Sequence, residues 1–268
     1  MIHSLKSLWN LSLKNGTNLQ QRYTIQRFIG QGSYGQVYSA YDKETDTIVV
    51  IKRNRKRKGK DCEGMLREEA ETLSKLDHPS IPKKIDLYQE RESVFLVMEY
   101  IQGANFEDLI LNDGHTYSER ESLSILLQVI SIVKYLHGRQ CIHRDLRLPN
   151  IIKNEKGIHV IDFGLAVFNE NSHDHSLHNE PSEKELFREH SFKSDYYALG
   201  HFLLFLLYST FQPDSKKERT WEEELNITED TKKVIRKLLR TEEPYDHVND
   251  ISTDVAAIIK KLQLKEQA

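Results

Sequence analysis

Apolar and polar residues alternate along the first part of the chain and recur at helical spacing along most of the rest. Tyr23–Ile29, Gly35–Tyr41 and Thr47–Arg53 are β-rich runs, with the turn residues Asp42–Asp46 between the last two. Helical periodicity appears around Met65–Leu76, and Val94–Tyr100 reads as another apolar strand. Beyond Tyr100 the spacing predicts helices over Phe106–Leu111, Glu119–His137, Ser194–Ser209, Thr231–Arg240 and Asp254–Leu264. A short β-rich pair, Ile151–Lys153 and His159–Ile161, interrupts them. Strands first and helices later predict an α+β protein of two unequal lobes. Over residues 1–21, Ile2, Leu5, Leu8, Trp9 and Leu13 fall at helix-like spacing. They predict a helix packed on the domain or a frayed end, with a partner or membrane-surface contact as the sharper alternative.

Composition narrows the class. With 268 residues, 38% apolar and 29% charged, the chain reads as a soluble globular protein able to bury a substantial core. A net charge of −3 argues against bulk attraction to nucleic acid or membrane. Cys62 and Cys141 lie far apart without metal-type spacing, which fits a reducing cytoplasm better than a disulfide framework. The most apolar stretch, Ala198 to Tyr208, is too short to span a membrane and reads as a buried core helix. The N-terminus lacks the continuous apolar core of a signal peptide.

Candidate chemistry begins at Gly30-Gln31-Gly32-Ser33-Tyr34-Gly35-Gln36-Val37, a G-x-G-x-x-G-x-V run between two strands. A dinucleotide-binding fingerprint needs its glycines to open a helix, so that reading fails. A glycine loop lets backbone approach phosphates, although a plain glycine hairpin explains this run alone equally well. The next strand carries Val49-Val50-Ile51-Lys52. Alternation places Val50 and Lys52 on one face, where a lysine needs a phosphate or carboxylate partner. Glu68, Glu69 and Glu71 are the candidates. On a helical wheel Leu66, Ala70, Leu73 and Leu76 form a stripe between about 280° and 40°, and Glu69 falls inside it at about 300°. Glu68 and Glu71 fall at about 200° and 140°, toward solvent.

Residues 143–150 read His-Arg-Asp-Leu-Arg-Leu-Pro-Asn, and residues 162–164 read Asp-Phe-Gly. With the glycine loop, the strand lysine and the helix glutamate in order upstream, the chain resembles the eukaryotic-like (Hanks-type) protein kinases over roughly residues 23 to 264. The spacing is similar to that of compact bacterial Ser/Thr kinases. The resemblance implies a bilobal protein-kinase fold, with a small β-rich N-lobe and a larger helical C-lobe. It implies ATP and Mg²⁺, or Mn²⁺, as cofactors. Asp145 would accept the substrate hydroxyl proton, and Asn150 and Asp162 would hold the metal. Lys52, held by Glu69, would bind the α- and β-phosphates, and Gly30, Gly32, Ser33 and Gly35 would cover them. Val97–Ile101 would be the lobe connector. Met98 would sit beside the adenine pocket, the backbones of Glu99 and Ile101 would bond the adenine edge, and Val37, Val50 and Ile152 would sandwich the ring. Val50 replaces the family's usual alanine and predicts a slightly tighter pocket. Asp195 would anchor the catalytic-loop backbone.

The chain also departs from the family. Arg147 stands where Ser/Thr kinases usually carry lysine, keeping positive charge for the γ-phosphate on a bulkier, planar head. Between Asp162 and Asp195 there is no Ala-Pro-Glu, only Glu180-Pro181. The arginine that partners that glutamate in the family is also missing, with Glu243–His247 in its place. Both halves of one ion pair are thus expected to be lost together, remodelling the peptide-binding region. A phosphosite in this segment must be Ser172, Ser176, Ser182, Ser191 or Ser194. His173, His175 and His178 read as a polar loop, with a metal site as the alternative. Lys52–Lys60 is strongly basic, a solvated loop or a patch for an acidic or phosphorylated partner. The resulting expectation is an ATP-dependent Ser/Thr protein kinase, monomeric and cytoplasmic. Residues 1–22 would be an N-terminal extension, 23–98 the N-lobe and 99–268 the C-lobe. A small-molecule kinase on the same fold is the alternative, motivated by the missing Ala-Pro-Glu. A nucleotide-binding pseudokinase is disfavoured, because every residue the chemistry needs is present.

Overall fold

Alternation along the strands dictates how the first part of the chain folds. In the computed structural model, which describes residues 12–32, 35–54, 61–168, 182–212 and 219–267, six strands form one antiparallel sheet: β1 Asn18–Leu19, β2 Tyr23–Gln31, β3 Gly35–Asp42, β4 Thr47–Asn54, β5 Lys84–Glu90 and β6 Ser93–Glu99. Their order is β1-β2-β3-β4-β6-β5. In β4, Val49 and Ile51 are buried on one face, while Val50 and Lys52 are half-buried on the other. The first face gathers Leu19, Tyr23, Ile25, Tyr38, Ala40, Phe95 and Val97 around Val49 and Ile51. Helix α1, Cys62–Ser74, packs against β4, β5 and β6 and buries Leu66, Glu69, Ala70 and Leu73. Asp61 caps it by accepting the Gly64 N–H at 2.8 Å.

Residues 12–19 are not helical. Leu13 packs on the apolar face and donates its N–H to Tyr38 Oη at 3.0 Å. Asn15-Gly16 forms a turn, with Gly16 at φ 81°, and β1 then pairs with β2. Over residues 12–19 the turn and strand stand where the spacing predicts helix, and the apolar positions 2, 5, 8 and 9 lie outside the described residues.

At the far end of β3, Asp42 is fully buried and receives Arg22 through two bonds of 2.7 and 2.6 Å. Those bonds hold its carboxyl at about 2, below the usual 3.8, outweighing the opposing effect of burial. Because the folded value is depressed, the contribution is complete above about pH 4 and is lost as pH falls toward 2. Arg22→Met leaves this carboxylate buried without its guanidinium. We expect a loss of about 2–3 kcal/mol at pH 7, shrinking below pH 4, in urea unfolding of variant against parent.

The chain divides into two compact units, Met1–Gln102 and Gly103–Ala268. All of Val97–Ile101 therefore belongs to the first. The second unit is built on helices α2 Glu119–Gly138, α3 Glu183–Arg188, α4 Phe192–Tyr208, α5 Trp221–Glu224, α6 Glu229–Leu238 and α7 Val248–Glu266. Ser118 and Glu121 form a reciprocal cap at the start of α2. The apolar helix α4 buries Phe202, Leu203, Leu206 and Leu207, as its composition predicts, but leaves Phe205 half-exposed. Short strands β7 Ala104–Asn105, β8 Cys141–Ile142, β9 Ile151–Asn154, β10 Gly157–Val160 and β11 Val167–Phe168 pair as β10-β9-β7 and β11-β8. No helix among the described residues is long and apolar enough to cross a membrane. Both cysteines are buried and free, and burial pushes the Cys141 thiol up to about 12, too high for a nucleophile.

Candidate active site

In the first unit, sheet register assembles one set of candidate residues. Lys52 pairs with Val37 on one side and Leu96 on the other, and Val50 pairs with Met98. Cross-strand partners share a face, so Val37, Val50, Lys52 and Met98 line the face opposite the apolar cluster. Lys52 Nζ meets Glu69 Oε1 at 2.5 Å, with the lysine 13% and the glutamate 4% exposed. Glu68 and Glu71 are exposed, as the helical wheel predicts. Gly35 must be glycine, because a Cβ there would lie 2.8 Å from the Arg53 carbonyl oxygen. At Gly30 and Gly32 a Cβ would meet nothing, so these positions leave open space. Ser33 and residues 55–60 of the basic run lie outside the described residues. The Glu99 N–H is taken by the Lys83 carbonyl at 2.9 Å, so of its two backbone groups only the carbonyl remains for a ligand.

In the second unit, Asp145 follows Arg144, whose backbone is left-handed at φ 63°. Two N–H groups, of His143 and Arg144, donate to the Asp195 carboxylate at 3.0 and 2.8 Å. His137 Nε2 lies 2.9 Å from the same carboxylate. Burial opposes the ionisation of Asp195, but His137, His143 and the backbone bonds more than offset it and hold its pKa down. Asp195 thus fixes the loop from beneath. Arg147 forks both Asp145 oxygens, at 2.7 and 3.0 Å. The Asn150 amide nitrogen donates to the Asp145 carbonyl at 2.9 Å and to its Oδ2 at 2.8 Å. Both partners are acceptors, so the amide orientation is fixed and Oδ1 is the atom left for a ligand. The Asn150 carbonyl accepts from Ile161 N–H at 2.9 Å, tying the loop to the strand end that leads into Asp162. Asp162 is left-handed at φ 64° and accepts the Gly164 N–H at 3.3 Å. Ile152 is buried on β9 beside Ile151.

His143 was not among the expected site residues, yet it organises the loop. Its Nδ1 accepts the Asp145 N–H at 3.2 Å, and its Nε2 faces the Ile161 carbonyl at 3.3 Å. That pattern requires the neutral ring protonated on Nε2. Burial lowers its pKa below the usual 6.5, against the opposing pull of Asp195, Asp145 and Asp162. The unfolded chain therefore takes up this proton first, and stability must fall as pH drops below about 6.5. His78 and His201, lowered by burial in the same way, add to the slope. Urea midpoints from pH 7 to 5 are expected to fall less steeply for His143→Phe than for the parent chain.

Among the described residues beyond Pro181, Arg240 Nη1 meets Glu189 Oε2 at 2.8 Å, both side chains about one-fifth exposed, an ion pair distinct from the Glu180 and Glu243–His247 positions considered from the sequence. Glu189 follows α3 and Arg240 follows α6. Nothing in their spacing, 51 residues apart, signals the contact. The serines Ser172 and Ser176, the histidines His173, His175 and His178, and Glu180-Pro181 lie outside the described residues.

Comparison with known proteins decides the family. The family model for the protein kinase domain matches residues 23–268. The chain belongs to the protein kinase domain family. This kinase is 35% identical over 259 residues to a probable serine/threonine-protein kinase, YbdM, of Bacillus subtilis, covering 96% of the chain and 97% of that protein. It is 36% identical over 202 residues to the serine/threonine-protein kinase PrkC of the same organism, which covers 72% of the chain but only 31% of PrkC. A crystal structure of a kinase domain matches 79% of the chain and 71% of its own, with a TM-score of 0.63 at 19% identity. The α+β, bilobal protein-kinase fold expected from the motifs is therefore the fold of this kinase, and its activity is ATP-dependent.

Proposed function

We propose that this kinase transfers the γ-phosphate of ATP to serine and threonine hydroxyls of proteins, itself included. The observation that carries the reading is the catalytic loop. Asp145 is oriented by Asn150 and Arg147 and backed by a neutral His143. Asp145 would orient the acceptor hydroxyl and take its proton, and Arg147 would offer its charge to the γ-phosphate. Because Arg147 spans both Asp145 oxygens, an acceptor hydroxyl must displace one of those bonds. Lys52, held by Glu69, would bind the α- and β-phosphates, with Gly30, Gly32, Ser33 and Gly35 above them. Val37, Val50 and Ile152 would enclose the adenine beside Met98, bonded by the Glu99 carbonyl and Ile101 backbone.

The donor set suits a hard divalent cation. Asn150 Oδ1 and the Asp162 carboxylate would be its oxygen ligands. Mg²⁺ held there, or Mn²⁺ in its place, would neutralise phosphate charge. The lobes would divide after Gln102, four residues beyond the boundary expected from the sequence between 23–98 and 99–268, in a monomer working in the cytoplasm. Free, buried cysteines support that compartment.

A test is to offer γ-labelled MgATP with generic acceptor proteins and, separately, with pools of sugars, aminoglycosides and nucleosides. Label on protein hydroxyls is expected. Label on a metabolite with none on protein would transfer the reading to a small-molecule kinase.

A further inference from the structure

Gln36 follows the last glycine of the glycine loop and stands at its base, across the sheet from Gln31 and Arg53. The loop closes just before it, where the Gly32 N–H donates to the Gly35 carbonyl at 3.0 Å. The Gln36 side chain shares a face of β3 with Tyr38, opposite the face that carries Val37. Glutamine is mostly a surface residue, yet Gln36 is 1% exposed. A polar side chain buried this deeply has to be hydrogen-bonded.

Its bonds run to the segment before β1. Tyr38 Oη accepts the Leu13 N–H at 3.0 Å and donates to Gln36 Oε1 at 2.9 Å. Gln36 Nε2 in turn donates to Ser12 Oγ at 3.4 Å. Leu13 packs on the apolar cluster of the sheet. Further along, the Gly16 N–H donates to the Ile25 carbonyl at 2.7 Å, the Ile25 N–H donates to the Thr17 carbonyl at 2.9 Å, and β1 pairs with β2. Residues 12–19 thus form an arm, fixed to β2 at one end and to the base of the glycine loop at the other. The arm precedes residues 23–268, so it lies outside the part of the chain that the family model matches.

We propose that Gln36 is a positioning residue through which this arm holds the glycine loop over the phosphates of ATP, so that residues outside the kinase domain help to set nucleotide affinity. Glycines give a loop backbone freedom, and that freedom leaves its position to be fixed from outside. Ser12 and Leu13 are neighbours, so their bonds to Gln36 and Tyr38 close a circuit of polar groups, and such groups strengthen one another away from water. Held at its base on the face away from the nucleotide, the loop has less room to lift. Gln36 acts through the loop and touches no phosphate itself. The inference rests on the reading that Gly30, Gly32, Ser33 and Gly35 cover the phosphates, and the experiment separates the two.

Two full-length variants test it. Tyr38→Phe keeps the ring against Phe28 and removes the hydroxyl that links Leu13 to Gln36. Gln36→Leu keeps the bulk of the side chain and removes its bonds to Tyr38 and Ser12. Each variant, shown folded by thermal unfolding, is titrated with MgATP and with adenosine beside the parent chain. ATP is expected to bind about fivefold more weakly, the factor that one net hydrogen bond supplies. Adenosine offers the loop no phosphate and is expected to bind as it does to the parent. The KM for ATP should rise in step while the KM for a protein acceptor stays unchanged, a split that general destabilisation would not produce. The double variant should lose no more than the larger single loss, because both changes cut one path. ATP affinity within about twofold of the parent in both variants overturns the inference. Equal weakening of ATP and adenosine also overturns it, by making the arm purely structural, and both results leave the kinase reading intact. A parent chain that binds neither ligand overturns the kinase reading, and the inference with it.

Discussion

Asp145→Asn lowers kcat for phosphoryl transfer by about a thousandfold, the scale set by removing a positioned proton acceptor. The substitution keeps the shape of the side chain. It also keeps an oxygen for the Asn150 amide, which now bonds both Oδ2 and the backbone carbonyl of residue 145. The two Asp195 bonds to His143 and Arg144 are untouched. The loop should therefore stay in place, ATP should bind as before, and the thermal midpoint should move by no more than a few degrees. Stopped-time kinetics with labelled ATP, nucleotide titration and thermal unfolding measure the three quantities on one preparation. A variant that keeps more than about a tenth of the parent rate would remove Asp145 from the chemistry.

Lys52→Met carries the other large effect, and it divides into two parts. The first is functional: phosphate binding and positioning are lost, and kcat/KM for ATP should fall about a hundredfold or more. The second is structural. Glu69 is 4% exposed and lies 2.5 Å from Lys52, so removing the ammonium takes away a close counter-charge in a poorly solvated place. We expect a loss of about 2–3 kcal/mol in stability, below the full cost of breaking a buried pair because Lys52 is partly exposed. Adding Glu69→Leu should return most of that stability, since an apolar side chain fits a stripe that already holds Leu66, Ala70 and Leu73. It should return none of the activity. Urea unfolding and ATP kinetics on the single and double variants separate the parts.

These two sites differ in how far the amino-acid sequence discloses them. The Lys52–Glu69 pair is legible because strand alternation fixes the face of Lys52, and helical periodicity singles out Glu69 from three adjacent candidates. The catalytic loop is legible as a motif, because its residues act within one short window. The role of His143 is less so, since a histidine in such a loop does not declare which ring nitrogen accepts. The Arg240–Glu189 pair is not legible at all, being formed by two loops that tertiary packing alone brings together.

Secondary structure shows the same gradient. Helix α2 follows the spacing from Glu119 closely, because its apolar stripe is long and a capping box marks its start. Helix α7 begins at Val248, six residues before the expected Asp254. Asn249, Asp250, Ser252 and Thr253 are weak helix formers that hide the first turn, although Ile251, Val255 and Ile258 keep the buried stripe. Strand β5 is half-buried along most of its length at the sheet edge, so it lacks the apolar alternation that marks β4. Helix α3 buries no residue, but Ser182 and Glu185 spell a capping box that could have announced it.

The central claim is the identity of the acceptor, and the most direct measurement is mass spectrometry of protein incubated with MgATP and a generic acceptor. The account predicts phosphoserine and phosphothreonine on the acceptor, on the kinase chain or on both, all absent from the Asp145→Asn reaction. Phosphate confined to tyrosine, or an unmodified protein pool beside bound and unconsumed ATP, would contradict it.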